Sequence, residues 1–454
     1  MTLATVNPAT GEHVRLFSEW SENDIEAALA RSQHAAQGWA STSFTARAGV
    51  LRKAGDILRA RVQEYAALIT LEMGKPIRES TGEVEKCALA CDYYADHASV
   101  LLADELVQSD ATRSLVAYLP LGPVLAIMPW NFPFWQVFRF AAPALAAGNV
   151  ALVKLASNVP QCSLAIERIW AEAGAPVGVF QALLIGAERV ESLIADARVR
   201  AVTLTGSEAA GRKVAAIAGA HLKKTVLELG GSDAFVVLSD ADLELAASVG
   251  VASRFLNSGQ SCIAAKRFIV VPEVADEFLE RLVAKARALT VGDPQGEHTM
   301  IGPLAREDLR ETLQLQVDDA VAHGAHTLTG GSPLPGTGYF YPPTVLWDVR
   351  PGMRAYREEL FGPVASVIRA RDENDALRIA DDTPYGLGAS VFSRDASRAE
   401  TFARRLECGS AFVNGLVKSD PRLPFGGVKA SGYGRELSGH GIREFVNIKT
   451  LWVR

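Results

Sequence analysis

The stretch Ala201-Val202-Thr203-Leu204-Thr205-Gly206-Ser207-Glu208-Ala209-Ala210-Gly211 passes from an apolar, β-branched segment through a Gly-Ser turn into helix-forming residues. Strand, glycine turn and helix together open a βαβ unit. The same succession recurs along the chain. Apolar runs at 124–128, 150–154 and 234–238 each precede a turn and a helical segment. A second series has runs at 267–271, 365–369, 389–392 and 411–414, with a helical stretch at 274–289. Strands alternating with helices make a largely parallel sheet. The chain reads as α/β, in two domains joined near Gly230. The turn itself is ambiguous. No Gly-x-Gly-x-x-Gly is present, but a Gly-Ser turn entering a helix can bring backbone N–H groups to a phosphate. Gly206 and Gly211 have P-loop spacing, yet Arg212 stands where that motif needs Lys, which removes the triphosphate reading. An ordinary strand–helix connection accounts for the turn equally well.

Outside this core the first third is mostly helical. Ser21-Glu22-Asn23-Asp24 resembles a capping box with Asp in place of Glu. Helical patterns then run over about 45–73, ending at Gly74, and over about 80–102. Strand-like segments at 114–120 and 444–454 lie outside the βαβ units and can pair with each other or with another subunit. At 454 residues the chain exceeds what one compact core holds. A net charge of −6 gives no electrostatic reason for nucleic acid or an anionic membrane as partner. The stretch 132–147 is interrupted by Pro133, Arg139 and Pro143, so no run reaches membrane-spanning length. With no basic-then-apolar leader, the cytoplasm is the expected location. The five cysteines are an odd, sparse set, a poor disulfide framework and no metal-ligand pattern, so no metal is expected.

Three residues carry chemical interest. Cys262 follows the polar stretch 257–261 and enters an apolar segment, where a thiol could face a cleft. A lone cysteine is more often a small buried hydrophobe. Glu228, in Leu227-Glu228-Leu229-Gly230-Gly231, is either the solvent side of an edge strand or a carboxylate whose pKa is raised in a dry cleft for general-base work. Asn131, in Pro129-Trp130-Asn131-Phe132-Pro133, could cap a turn or donate to an oxyanion.

Taken in order, these stretches resemble the aldehyde dehydrogenase superfamily over nearly the whole chain. The matching motifs are Pro-Trp-Asn-Phe-Pro at 129–133, Thr-Gly-Ser at 205–207, Leu-Glu-Leu-Gly-Gly at 227–231, Gly-Gln-Ser-Cys at 259–262, Glu-Glu-Leu-Phe-Gly-Pro at 358–363 and Pro-Phe-Gly-Gly-Val-Lys at 424–429. The resemblance implies two Rossmann-like α/β domains plus a small β oligomerisation element. It divides the chain into a cofactor-binding domain (1–106 and 121–229), a catalytic domain (230–430) and an oligomerisation element (107–120 and 431–454). It implies Cys262 as nucleophile, Asn131 with the Cys262 backbone N–H as oxyanion hole, and Glu228 as the base for the deacylating water. Gly206 and Ser207 would approach a pyrophosphate, Lys154 the adenosine ribose and Glu359 the nicotinamide ribose. Phe361 would pack near the nicotinamide. Trp130, Gly211 and Leu229 complete the implied cofactor contacts. A homodimer or homotetramer is implied as well.

Ser157 stands where many NAD-preferring relatives have a Glu that would repel a 2′-phosphate. NADP is therefore the expected cofactor, with NAD used less well. The stretch 134–140 resembles the branch that oxidises succinic semialdehyde. There Arg139 and Ser419 would bind the distal carboxylate of a small aldehyde and Trp135 would form an aromatic wall. Read without that resemblance, Arg139 pairs with an internal carboxylate, since a lone charge in so apolar a stretch costs several kcal/mol. A broad aliphatic or other semialdehyde dehydrogenase is the alternative activity.

Overall fold

A computed structural model describes residues 3–454. Among these residues, two mostly parallel sheets carry the molecule. The first runs Gly432–Tyr433, Lys224–Glu228, Ala201–Thr205, Pro123–Met128, Val150–Leu155, Phe180–Ala182 in spatial order. All its neighbours are parallel except the Gly432–Tyr433 edge. The second runs His326–Thr329, Thr344–Trp347, Val364–Arg369, Ala265–Val270, Asp233–Val237, Gly388–Phe392, Ser410–Val413, with only its first pair antiparallel. The central strands are buried along their length, which is why they read as continuous apolar runs rather than as alternation. The expected join is where the chain changes sheet: Glu228 ends a strand of the first and Asp233 begins one of the second.

The N-terminal helices pack against the first sheet. The Ser21–Asp24 capping box is formed on helix Glu22–Ala40. The helix expected over 45–73 is instead two, Phe44–Ala60 and Val62–Met73, broken at Arg61 (φ −120°, ψ 30°). The break turns Leu51 and Leu58 of one piece and Tyr65 and Ile69 of the other into the same core. A longer helix, Ile77–Leu101, follows and packs on both pieces.

A third sheet holds Val446–Val453, Arg113–Pro120 and Glu105–Val107. The two outlying strands expected from sequence pair with each other, from Val446 opposite Pro120 to Val453 opposite Arg113. Leu106, Ile448 and Trp452 stay exposed on it. Residues 431–445, expected in this element, belong elsewhere: Gly432–Tyr433 joins the first sheet, and Leu437, Ile442 and Phe445 enter the first core. Among the described residues no helix is long and apolar enough to cross a membrane.

The Gly432 edge seats the C-terminal segment directly behind Glu228, its register partner. Gly432 has φ +110°, and a Cβ there would collide with the Leu227 carbonyl. Gly432→Ala should therefore cost about 2–3 kcal/mol and lower the melting temperature. Gly219→Ala, where a Cβ meets nothing within 4 Å, should not. Equal melting temperatures for the two variants would refute this account.

Candidate active site

The segment bearing Cys262 is held from three directions. Asn257 and Ser258 both adopt positive φ (55° and 53°), a strained turn for residues with side chains. Buried Arg254 fixes that turn, donating at 2.6 Å to the carbonyls of Gly259 and of Gly362. Buried Lys266 donates to the carbonyls of Ser261 (2.9 Å) and Cys262 (2.7 Å) and pairs with Glu359 at 3.1 Å. The Asn257 amide donates to the carbonyls of Asn131 (2.8 Å) and Gln260 (3.0 Å). This last contact brings the two sheets' loops together, because Asn131 follows strand Pro123–Met128 of the first sheet.

Cys262 is the wall shared by two cavities. Burial pushes its thiol pKa up to about 12, against the opposing pull of Lys266 and Arg139. The resting group is a thiol that must lose its proton to attack. Asn131 Nδ2 lies 3.1 Å from the Gln260 carbonyl and uses one N–H there. An amide has two, and no partner for the second is found among the described residues. Glu228 is 2% exposed, and both its carboxylate oxygens lack a hydrogen-bond partner among the described residues. Burial, then nearby Glu436, raise its pKa well above the usual carboxylate range, while Arg139 and Arg435 oppose that rise. It is a buried carboxyl without a partner among the described residues, not the solvent face of an edge strand.

One cavity, of about 410 Å³, lies at the carboxyl ends of the first sheet's strands. Trp130, Asn131, Gly206, Ser207, Leu229, Glu359 and Phe361 all line it. Trp130 and Phe361 meet edge to face, with ring centroids 5.7 Å apart. Ser207 caps helix Glu208–Ala220, accepting from the Ala210 N–H at 3.3 Å, so that helix N-terminus faces the cavity. Two of the expected contacts differ in kind. The Gly206 N–H is already given to the Glu228 carbonyl at 3.0 Å. Gly211 is a packing position: a Cβ there would come within 2.6 Å of Leu229, so its absence lets the helix close on the sheet. Lys154 sits beside the cavity, in register with Ile127 of its wall, and Ser157 lies on the turn beyond. Lys154 is buried, has no carboxylate within ion-pair distance among the described residues, and has its pKa lowered by that burial. A helix N-terminus on the cavity and a buried ammonium one strand away fit a phosphate-bearing dinucleotide.

The other cavity, of about 280 Å³, joins Cys262 to Trp135, Gln136, Arg139, Ser419, Phe425 and Lys86. The three expected substrate residues are thus together. Arg139 also has the internal partner that its apolar surroundings call for: it forms a buried ion pair with Glu436, donates to Thr205 at 3.3 Å and lies 4.7 Å above the Phe425 ring. Lys86, Glu436, Lys266, Asn257 and Arg254 were not singled out from sequence. For Lys86 a signal existed: Glu79, Gly82, Glu83 and Lys86 follow i, i+3, i+4, i+7 spacing and put a charged stripe of helix Ile77–Leu101 on the cavity wall.

The profile of the aldehyde dehydrogenase family matches residues 1–451. The chain belongs to this family. A Synechocystis relative named as a probable NADP(+)-dependent succinate-semialdehyde dehydrogenase is 53% identical, with both chains covered in full. A Mycobacterium ulcerans relative named succinate-semialdehyde dehydrogenase (NADP(+)) 1 is 52% identical, again with full coverage of both. The crystal structure of succinic semialdehyde dehydrogenase from Streptococcus pyogenes in complex with NADP+ superposes with a TM-score of 0.97 at 37% identity, over 99% of each chain. As an aldehyde dehydrogenase, the protein presents its cysteine between a cavity suited to a dinucleotide and one suited to a small aldehyde.

The high thiol pKa has a direct readout. In the protein alone, alkylation of Cys262 by iodoacetamide, followed by peptide mass, should be slow at pH 7 and keep rising through pH 10. A plateau near pH 8 would mean that the thiolate already exists at rest.

Proposed function

We propose that this aldehyde dehydrogenase oxidises succinic semialdehyde to succinate, with NADP as preferred hydride acceptor and NAD used less well. The observation that carries this reading is the cavity joining Cys262 to Arg139 and Ser419, which offers a nucleophile at one end and cationic and hydroxyl donors at the other. The names of its relatives agree on substrate class and cofactor.

In this mechanism the Cys262 thiol loses its proton to solvent, and the thiolate Sγ attacks the aldehyde carbon. The developing alkoxide accepts from the second Asn131 Nδ2–H and from the Cys262 backbone N–H; losing one such donor costs roughly 10²–10³ in rate. Trp130, Lys154, Ser157, Ser207, Leu229, Glu359 and Phe361 would hold NADP, which would supply the acceptor for the hydride that leaves the same carbon. The substrate carbon is then a thioester on Cys262. Glu228 takes a proton from water as that water attacks the thioester, and Cys262 leaves as thiolate. Trp135, Arg139 and Ser419 hold the distal carboxylate throughout. Lys266 and Glu359 brace the cysteine segment against the cofactor cavity, which supports a rigid geometry for both steps.

The cofactor-binding unit (1–106 and 121–229) and catalytic unit (230–430) are proposed to follow the two sheets, with 431–445 added to the first. The exposed apolar strands Glu105–Val107 and Val446–Val453 support assembly into a homodimer or homotetramer. A cytoplasmic location is proposed with them.

Steady-state rates test the substrate and cofactor. Succinic semialdehyde should outperform aliphatic aldehydes, and NADP should outperform NAD. Ser157→Glu should lower kcat/KM with NADP by about tenfold or more, because a carboxylate would face the 2′-phosphate, while sparing NAD. Equal response to both cofactors would end the role of Ser157. Glu228→Gln should stop turnover after one hydride transfer and leave an acylated Cys262 visible by mass spectrometry. In the wild type, deacylation should speed up with rising pH, because a raised carboxylate pKa keeps Glu228 protonated over more of the range. Full turnover by Glu228→Gln would assign the base elsewhere.

A further inference from the structure

The substrate cavity contains a cation that no internal carboxylate balances. Lys86 projects from helix Ile77–Leu101 onto the cavity wall. Its Nζ donates to Ser419 Oγ at 2.7 Å and sits 4.3 Å above the Trp135 ring. Among the described residues no carboxylate lies within ion-pair distance of it. Of the other charged residues lining the cavity, Lys418 is exposed to solvent, while Arg139, Glu83 and Glu79 are engaged elsewhere. Arg139 is paired with Glu436, and Glu83 is paired with Lys75 and accepts the Phe134 and Trp135 N–H groups at 2.9 and 3.0 Å. Glu79 accepts from the Asn257 N–H at 2.7 Å. Asp420, next to Ser419 in the chain but not on the cavity wall, is paired with Arg422.

We propose that Lys86 is the specificity-determining cation for the distal carboxylate of the substrate, acting with the Ser419 hydroxyl as a two-donor clamp. This assignment rests on the carboxylated-aldehyde reading above and locates its charge recognition. The hydrogen-bond polarity favours it. Lys86 donates to Ser419 Oγ, so the Ser419 O–H is left to donate into the cavity beside the two remaining Lys86 N–H groups. A carboxylate accepts from both at once, and such charge-assisted bonds are the strong ones. Arg139 adds shape and a local dipole, but its charge is offset by Glu436, so it contributes less net attraction than its position suggests. The Trp135 face holds the ammonium in place when no anion is bound. Burial and the Arg139 charge lower the Lys86 pKa to about 8, which a bound carboxylate would raise again.

The test compares succinic semialdehyde with butanal, which has the same four carbons and no carboxylate, using the purified full chain and NADP. Wild type, Lys86→Met and Lys86→Arg are measured. Lys86→Met should lower the ratio of kcat/KM for succinic semialdehyde to that for butanal by about 10- to 100-fold, the size expected for losing a hydrogen bond between charged groups. The loss should fall mainly on KM. Lys86→Arg should recover a large part of the ratio, which a purely structural role for the lysine stem would not explain in Lys86→Met. Competitive inhibition by succinate should weaken in parallel in Lys86→Met, a readout independent of turnover. A Lys86→Met ratio equal to wild type, with the wild-type preference intact, overturns the assignment and leaves the succinic semialdehyde reading standing. Equal losses on both aldehydes also overturn it, since Lys86 would then only shape the cavity. A wild type that shows no preference for succinic semialdehyde overturns the carboxylated-aldehyde reading, and the clamp with it.

Discussion

A guanidinium buried inside an otherwise apolar helix has to find a negative partner or the helix does not pack. Arg139 finds Glu436, and much of the molecule is arranged around that pairing. Glu436 lies near the C-terminus, so satisfying Arg139 draws residues 431–445 back onto the first sheet and its core. Removing either partner would leave a buried charge uncompensated, which typically costs about 3–5 kcal/mol. The pair also sets the surroundings of Glu228. Glu436 pushes its proton affinity up and Arg139 moderates the rise. One ion pair thus ties the C-terminal segment to the first core and acts on the Glu228 carboxyl, while its Arg139 side also lines the substrate cavity.

The cysteine segment solves a different problem. A nucleophile between two cavities must stay still although it belongs to a loop. Arg254 and Lys266 achieve this by bonding backbone carbonyls rather than side chains. Each spends a buried charge on main-chain oxygens, so the geometry does not depend on rotamers at Ser261 or Cys262. The positive-φ turn at Asn257 and Ser258 is tolerable only because those bonds over-determine it. The same lysine reaches Glu359 in the cofactor cavity, so the two binding regions share a support.

Much of this could be read from the chain. The strands were legible because parallel strands buried on both faces leave unbroken apolar runs, and the change of sheet near Gly230 was legible because two glycines end one run before another begins. The residues lining both cavities were legible through motifs at 129–133, 205–207, 227–231 and 259–262. What stayed hidden was pairing between distant segments. Arg139 and Glu436 are far apart in sequence, and no local pattern links them. Arg61 breaks a helix without Gly or Pro, so only the packing of both pieces on one core reveals the bend. The packing role of Gly211 was equally hidden, because the side chain it makes room for, Leu229, follows the end of a neighbouring strand. Lys86 carried a helical-spacing signal, but a charged stripe usually faces solvent, and only the fold turns this one inward.

The party wall at Cys262 has a kinetic corollary. On the proposed mechanism aldehyde and dinucleotide enter different rooms, which share Cys262 and Gln136 among their lining residues. Neither has to vacate its room for the other to enter, so an excess of one does not exclude the other by occupying its place. The acyl group, tethered at Sγ and gripped at its far end, stays put while the dinucleotide side empties and refills. Occupancy of the two rooms is therefore separable, although every turnover consumes one molecule from each.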